Sequence, residues 1–245
     1  MNNRLLLLCG GDIPFPEASI TIHVPTLQEI SYIGERSFFL GCEFFAFSEE
    51  FLKTKDKSNL DNQSSFDIIM TMLSMNIQTP EATELVSSVY LFLGLLFPKR
   101  EINFTYSEIR LIQEQDVAII NRNNFNIFQD LIKAMFCLEK KAEEKYNPAG
   151  EQASRIAKKL EERHRKLAEK DKQKKGDVVD VLNRYMSILM LFYDVNTLKQ
   201  YTYYQIAELF ERVQLREVYE SNMKARLAGA KNLEQVDHWM VDLHS

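Results

Sequence analysis

Glycine and proline are scarce in this 245-residue chain, at 8 and 6 residues. That excludes loop-rich folds and many-turned β sandwiches, which need both residues at their turns. The three cysteines (Cys9, Cys42, Cys137) are far apart, with no pair spaced for a metal or a redox motif. Scattered, odd-numbered thiols fit a reducing compartment, so a soluble intracellular protein is expected. No stretch reaches the roughly 18–20 apolar residues of a membrane span. The leucine run before Cys9 is too short for a signal peptide and meets Gly10, Gly11 and Asp12 at once. There is no basic surplus either: the net charge is −5, which disfavours a dedicated nucleic-acid binder. Phosphate-binding glycine loops, HExxH and GxSxG are all missing.

What is present is apolar material, at 45% of residues, including 16 phenylalanines. Residues 4–9 and the alternating "SITIHV" (19–24) predict two strands joined by a wide, proline-containing turn. Thr26 and Glu29 have capping-box spacing, so a helix should start at Leu27. "FFLGCEFFAFSEEFL" predicts a buried helix or an aromatic packing patch. Residues 53–65 are polar and predict a loop. "FDIIMTMLSM" has helical spacing. Thr79 and Pro80 mark another helix start, and Pro98 its stop. Residues 101–121 read as a second small hairpin. From Asn124 the apolar residues Phe125, Phe128, Leu131, Ile132, Met135 and Phe136 recur at helical intervals.

Residues 139–176 carry mixed charge along a narrow apolar stripe, which predicts a long solvated helix and a linker. Residues 177–193 predict an apolar helix that must be covered. Thr202 with Gln205 forms a second capping box, and Gly229 fits the left-handed residue that ends a helix. The expected fold class is therefore mainly α with small β elements (α+β). An N-terminal β unit and a mid-chain hairpin would pack with a multi-helix C-terminal half. The expected domains are an N-terminal α+β domain (1–138), a charged helix and linker (139–176) and a C-terminal helical domain (177–245).

The tail "DHWMVDLH" (237–244) gathers Asp237, His238, Asp242 and His244, a conceivable metal corner. A zinc site wants three or four converging ligands with outer partners, and this spacing supplies only His238 with Asp242 on one helical face. The favoured reading is an amphipathic anchor built from Val236, Trp239, Met240 and Leu243, docking on its own bundle or on a neighbouring copy. His23 sits on a strand with no partner visible in the sequence, and His164 in the charged helix. Adjacent acid pairs such as Glu49 and Glu50 diverge on a helix. No residue pattern calls for acid–base catalysis, a metal or a cofactor, and none is expected.

Several stretches resemble the tail assembly chaperones of phages and prophages of Gram-positive bacteria. "ITIHVPTLQEISYIGE" is similar to their N-terminal pattern of short strand (Ile20–Val24), Pro25–Thr26 helix start and Gly34–Glu35. "YNPAGEQASRIAKKLEERHRKLAEK" resembles their central charged helix. "VLNRYMSILM", "TYYQIAELFERV" and "LAGAKNLEQVDHWMVDLH" resemble their C-terminal half. The resemblance covers both ends and most of 145–245 and is weak over 45–125.

It implies a non-enzymatic protein acting in the host cytoplasm and absent from the finished virion. Such a protein coats the tail tape measure protein, brings tail tube subunits to it and self-associates, with no nucleic-acid or membrane partner. A partner groove could then draw on Phe38, Phe44, Phe45, Phe51, Met70 and Met72, together with the tail anchor. The same phenylalanines and methionines read more readily as core. A structural tail or neck protein retained in the virion is the competing expectation.

Overall fold

The computed structural model describes residues 4–46, 64–74, 79–138, 181–229 and 238–240. Contacts divide the chain into one unit of Met1–Leu138 with Val181–Ser245 and another of Glu139–Asp180; the second lies outside the described residues, as do the polar stretch 47–63 and His164. The fold class is α+β: helices dominate, and two small antiparallel sheets accompany them.

The chain opens with helix α1 (Arg4–Leu8), where a strand was expected. Leucine is unbranched and favours helix, and the run lacks the in–out alternation of a half-buried strand. The two glycines close this helix. Gly11 N donates to Leu6 O and Gly10 N to Leu7 O, with Gly10 at φ +69°, the hydrogen-bond pattern of a Schellman cap.

The first sheet instead pairs β1 (Ile13–Phe15) with β2 (Ile20–Ile22), around a 3-10 turn at Pro16–Ala18. Ile13, Phe15, Ile20 and Ile22 point inward and Pro14 outward, so the prolines sit in and beside a strand rather than widening a turn. Thr26 caps α2 (Leu27–Ile33) through the expected box with Glu29. Then come α3 (Glu35–Ala46), α4 (Ser65–Ser74) and α5 (Pro80–Leu96), the last capped by Thr79.

Residues 101–121 form a three-stranded meander where a hairpin was expected: β3 (Glu101–Phe104), β4 (Glu108–Gln113) and β5 (Asp116–Asn121). The second turn is only Glu114–Gln115, with Glu114 at φ +54°. Tight hairpin turns usually announce themselves with Asn or Gly, and this one carries neither.

Helix α6 (Phe125–Met135) follows as expected. Asn124 does not cap it with its side chain. That side chain takes Asn121 N and donates to Ile119 O and Glu17 O, tying β5 to the 3-10 turn. Buried Gln129 donates to Phe45 O at 2.7 Å, satisfying a carbonyl in the last turn of α3.

The core is phenylalanine-rich. Phe15, Phe38, Phe44, Phe45, Phe92, Phe97, Phe125, Phe128 and Phe136 are all fully buried. Phe45 touches Phe92, Phe125 and Phe128, and Phe38 meets Phe136 edge-on at 5.1 Å. Offset and edge-on rings add about 0.5–1.5 kcal/mol each beyond area burial. Gly41 lets α3 approach α5, because a Cβ there would stand 2.3 Å from Phe92 Cβ.

The C-terminal part consists of α7 (Val181–Leu189), α8 (Val195–Leu198) and α9 (Tyr203–Leu227). It shares this core: Leu182, Leu189, Leu198, Tyr203, Ile206 and Phe210 join the same cluster. The join is also made by backbone. Leu27 N donates to Tyr201 O and Gln28 N to Lys199 O, while Thr26 and Thr202 form an antiparallel bridge. Free amides at the start of α2 thus meet carbonyls that leave the end of α8.

Candidate docking surface

Helix α7 is shorter than the apolar run that encodes it. Its N-terminal amide at Leu182 donates to Glu35 Oε1 at 2.8 Å, and Tyr185 stacks on Phe210 with ring centroids 4.2 Å apart. The helix stops at Leu189 because the chain must turn into α8. There Asp194 Oδ2 accepts from Asn196 N and Thr197 N. The connecting turn is tight, with Phe192 N and Tyr193 N both reaching Leu189 O.

This turn carries Met190, Leu191, Phe192 and Tyr193 into solvent, followed by Val195. Leu191 is 78% exposed and Met190 52%. The sequence predicted a covered helix through residue 193. Covered side chains end at Leu189, and four consecutive apolar residues beyond it remain open.

Helix α9 runs beside this turn. Its 25 residues span about 37 Å at 1.5 Å per residue. Tyr203, Tyr204, Ile206, Phe210 and Val213 are buried, whereas Val218, Met223 and Leu227 are exposed. The Arg216 guanidinium lies 5.8 Å from the centroid of the Phe192 ring and pairs with Glu220 at 3.4 Å.

Arg212, one turn earlier on the same face, donates through Nη1 to Trp239 O at 2.8 Å. Its other nitrogens donate to Glu208 Oε1, which also forms an ion pair with Arg4 Nη2 at 3.7 Å. Tyr219 packs edge-on against His238 at 4.9 Å, and His238 stacks on Trp239. Trp239 is half-buried; Met240 is 69% exposed and donates its amide to His238 Nδ1.

The sequence-predicted residues divide into three groups. Phe38, Phe44, Phe45 and Met70 are buried in the core, where no partner can reach them in this conformation. Trp239 and Met240 lie along α9, so the tail contacts its own C-terminal helix through Arg212 and Tyr219. Phe51, Val236 and Leu243 lie outside the described residues, as does the side chain of Met72. The exposed turn 190–193 and the arginines of α9 were not singled out from the sequence. The signal was available in Asp194, a good helix cap placed at the end of an apolar run.

The surface offers apolar side chains, one cation over an aromatic ring and neutralised ion pairs. Its chemistry suits binding. Among the described residues no three His, Cys, Asp or Glu side chains converge to hold a metal ion; Asp237, Asp242 and His244 lie outside them. Burial, with Glu43 adding to it, pushes the Cys42 thiol well up, so that cysteine is an inert core residue. No described helix is long and apolar enough to cross a membrane.

Residues 179–244 match the family model described as the YomV second domain. The match takes in α7, α8, α9 and the tail and suggests a protein of phage or prophage origin. No curated protein and no solved structure matches the chain.

Proposed function

We propose that this protein is a non-enzymatic binding protein of a phage or prophage that shields an apolar, helical partner during tail assembly. The partner we assign is the tail tape measure protein, with tail tube subunits and further copies of this chain as additional contacts. The observation that carries the reading is the run Met190–Tyr193, exposed on a structured turn inside the matched segment. Contiguous exposed apolar side chains are costly in water and mark interaction sites. Methionine and aromatic side chains adapt to varied helical partners. The flanking α9 supplies Arg212 and Arg216, whose stems extend apolar cover while their charges are held by Glu208 and Glu220.

Co-expression with the tape measure protein tests this reading. The expected result is a soluble complex that co-purifies, with the chaperone missing from purified virions by mass spectrometry. A tape measure protein equally soluble alone, with no complex, would overturn it. Stoichiometric presence in the virion would assign the protein to the tail structure instead.

A further inference from the structure

His23 stands between two carboxylates from different elements. Its Nδ1 lies 2.9 Å from Asp12 Oδ1, in the loop between α1 and β1, and its Nε2 lies 3.2 Å from both oxygens of Glu29 on α2. The donors and acceptors around it can be counted. Asp12 Oδ1 already accepts Val24 N. Glu29 Oε2 accepts Thr26 N and the Thr26 hydroxyl, each at 2.8 Å, and that hydroxyl in turn accepts Glu29 N.

Both carboxylates are therefore acceptors, and each ring nitrogen must donate. A neutral imidazole has only one N–H, so one nitrogen would turn a lone pair toward a carboxylate. The arrangement calls for imidazolium. Among the described residues, the other charged side chain lining the cleft of Asp12 and His23 is Arg100. Its guanidinium is committed to Asp116 and to Leu111 O. Ser19, Thr21 and Gln113 complete the polar lining, and His23 N is anchored to Leu96 O at the end of α5.

We infer that Asp12, His23 and Glu29 form a proton-operated clamp that sets the grip of α2 on the C-terminal part of the chain. With the ring doubly protonated, Asp12 and Glu29 are drawn together and the Thr26–Glu29 box is held. The α2 amides of Leu27 and Gln28 then stay on Tyr201 O and Lys199 O. When the ring loses a proton, one carboxylate loses its donor and faces a lone pair, and α2 loosens at this seam. This inference is independent of the partner proposed above.

The test is amide hydrogen exchange on the full chain across about pH 5 to 8, corrected for intrinsic rates, with the His23 ring followed by nitrogen chemical shift. Protection at Leu27 and Gln28 should fall about three- to tenfold in step with the ring's deprotonation. In His23→Gln the step should vanish, because glutamine stays neutral throughout. If that variant does not fold, Asp12→Asn gives the same readout: an amide can turn either its oxygen or its nitrogen to the ring, so the step should shrink. Protection that stays flat in the unmodified chain, or a step that persists undiminished in these variants, would overturn the clamp.

Discussion

Two regions of this protein are equally rich in apolar side chains and use them in opposite ways. The α3–α5–α6 region buries its phenylalanines around Phe45 and Phe92, ring against ring. The α7–α8 turn leaves Met190, Leu191, Phe192 and Tyr193 in solvent. The difference comes from what surrounds each run. In α3 the apolar residues continue through full helical turns, and Gly41 and Gln129 let neighbouring helices close over them. At Leu189 the helix ends, and Asp194 forces the chain into a new direction before another element can cover it. Apolar density in a sequence therefore does not say whether a stretch is core or binding face; the punctuation around it does.

The largest effect should come from the core. Phe45→Ala removes a fully buried ring with four phenylalanine neighbours and should cost about 3–5 kcal/mol in denaturant unfolding. Next comes Gly41→Ala. The added methyl would meet Phe92 Cβ at 2.3 Å, so overpacking should cost about 1–3 kcal/mol. A loss of less than about 0.5 kcal/mol in either variant, the size of an ordinary surface substitution, would break the contrast with the exposed turn.

A smaller effect concerns the seam between the two regions. Burial raises the Glu29 pKa, but hydrogen bonds from Thr26 backbone and side chain and from His23 outweigh it, and the net shift is downward. A depressed carboxylate pKa contributes stability that is present above its unfolded value, about 4.3, and is lost as pH falls through the folded one. Acid titration of unfolding should show that loss, and Glu29→Gln should flatten it. An acid limb unchanged by the substitution would mean that Glu29 is not the group responsible.

Much of this fold was legible in the chain. Both capping boxes, the Thr79–Pro80 start, Gly229 and the α6 stripe stand where local chemistry put them, because each is decided within a few residues. The misses were decided elsewhere. Residues 4–8 lacked alternation, and their two glycines signalled a helix cap rather than a turn between strands. The Glu114–Gln115 turn has no glycine or asparagine, so the third strand was hidden.

The partners of His23 come from 11 residues before it and 6 after, on separate elements, and no spacing rule links them. For the candidate surface, Trp239 was singled out from the sequence. That Arg212 would hold its carbonyl depends on a contact 27 residues away.

The exposed turn bears the central claim, and one substitution isolates it. Leu191→Asp places a charge on a side chain that is already 78% exposed, so stability should change by no more than about 0.5 kcal/mol. Co-purification of the tape measure protein with this variant, compared with the unmodified chain, is the direct measurement. A folded variant that no longer retains the partner is the predicted result. Retention equal to the unmodified chain would contradict the assignment of Met190–Tyr193 as the binding face.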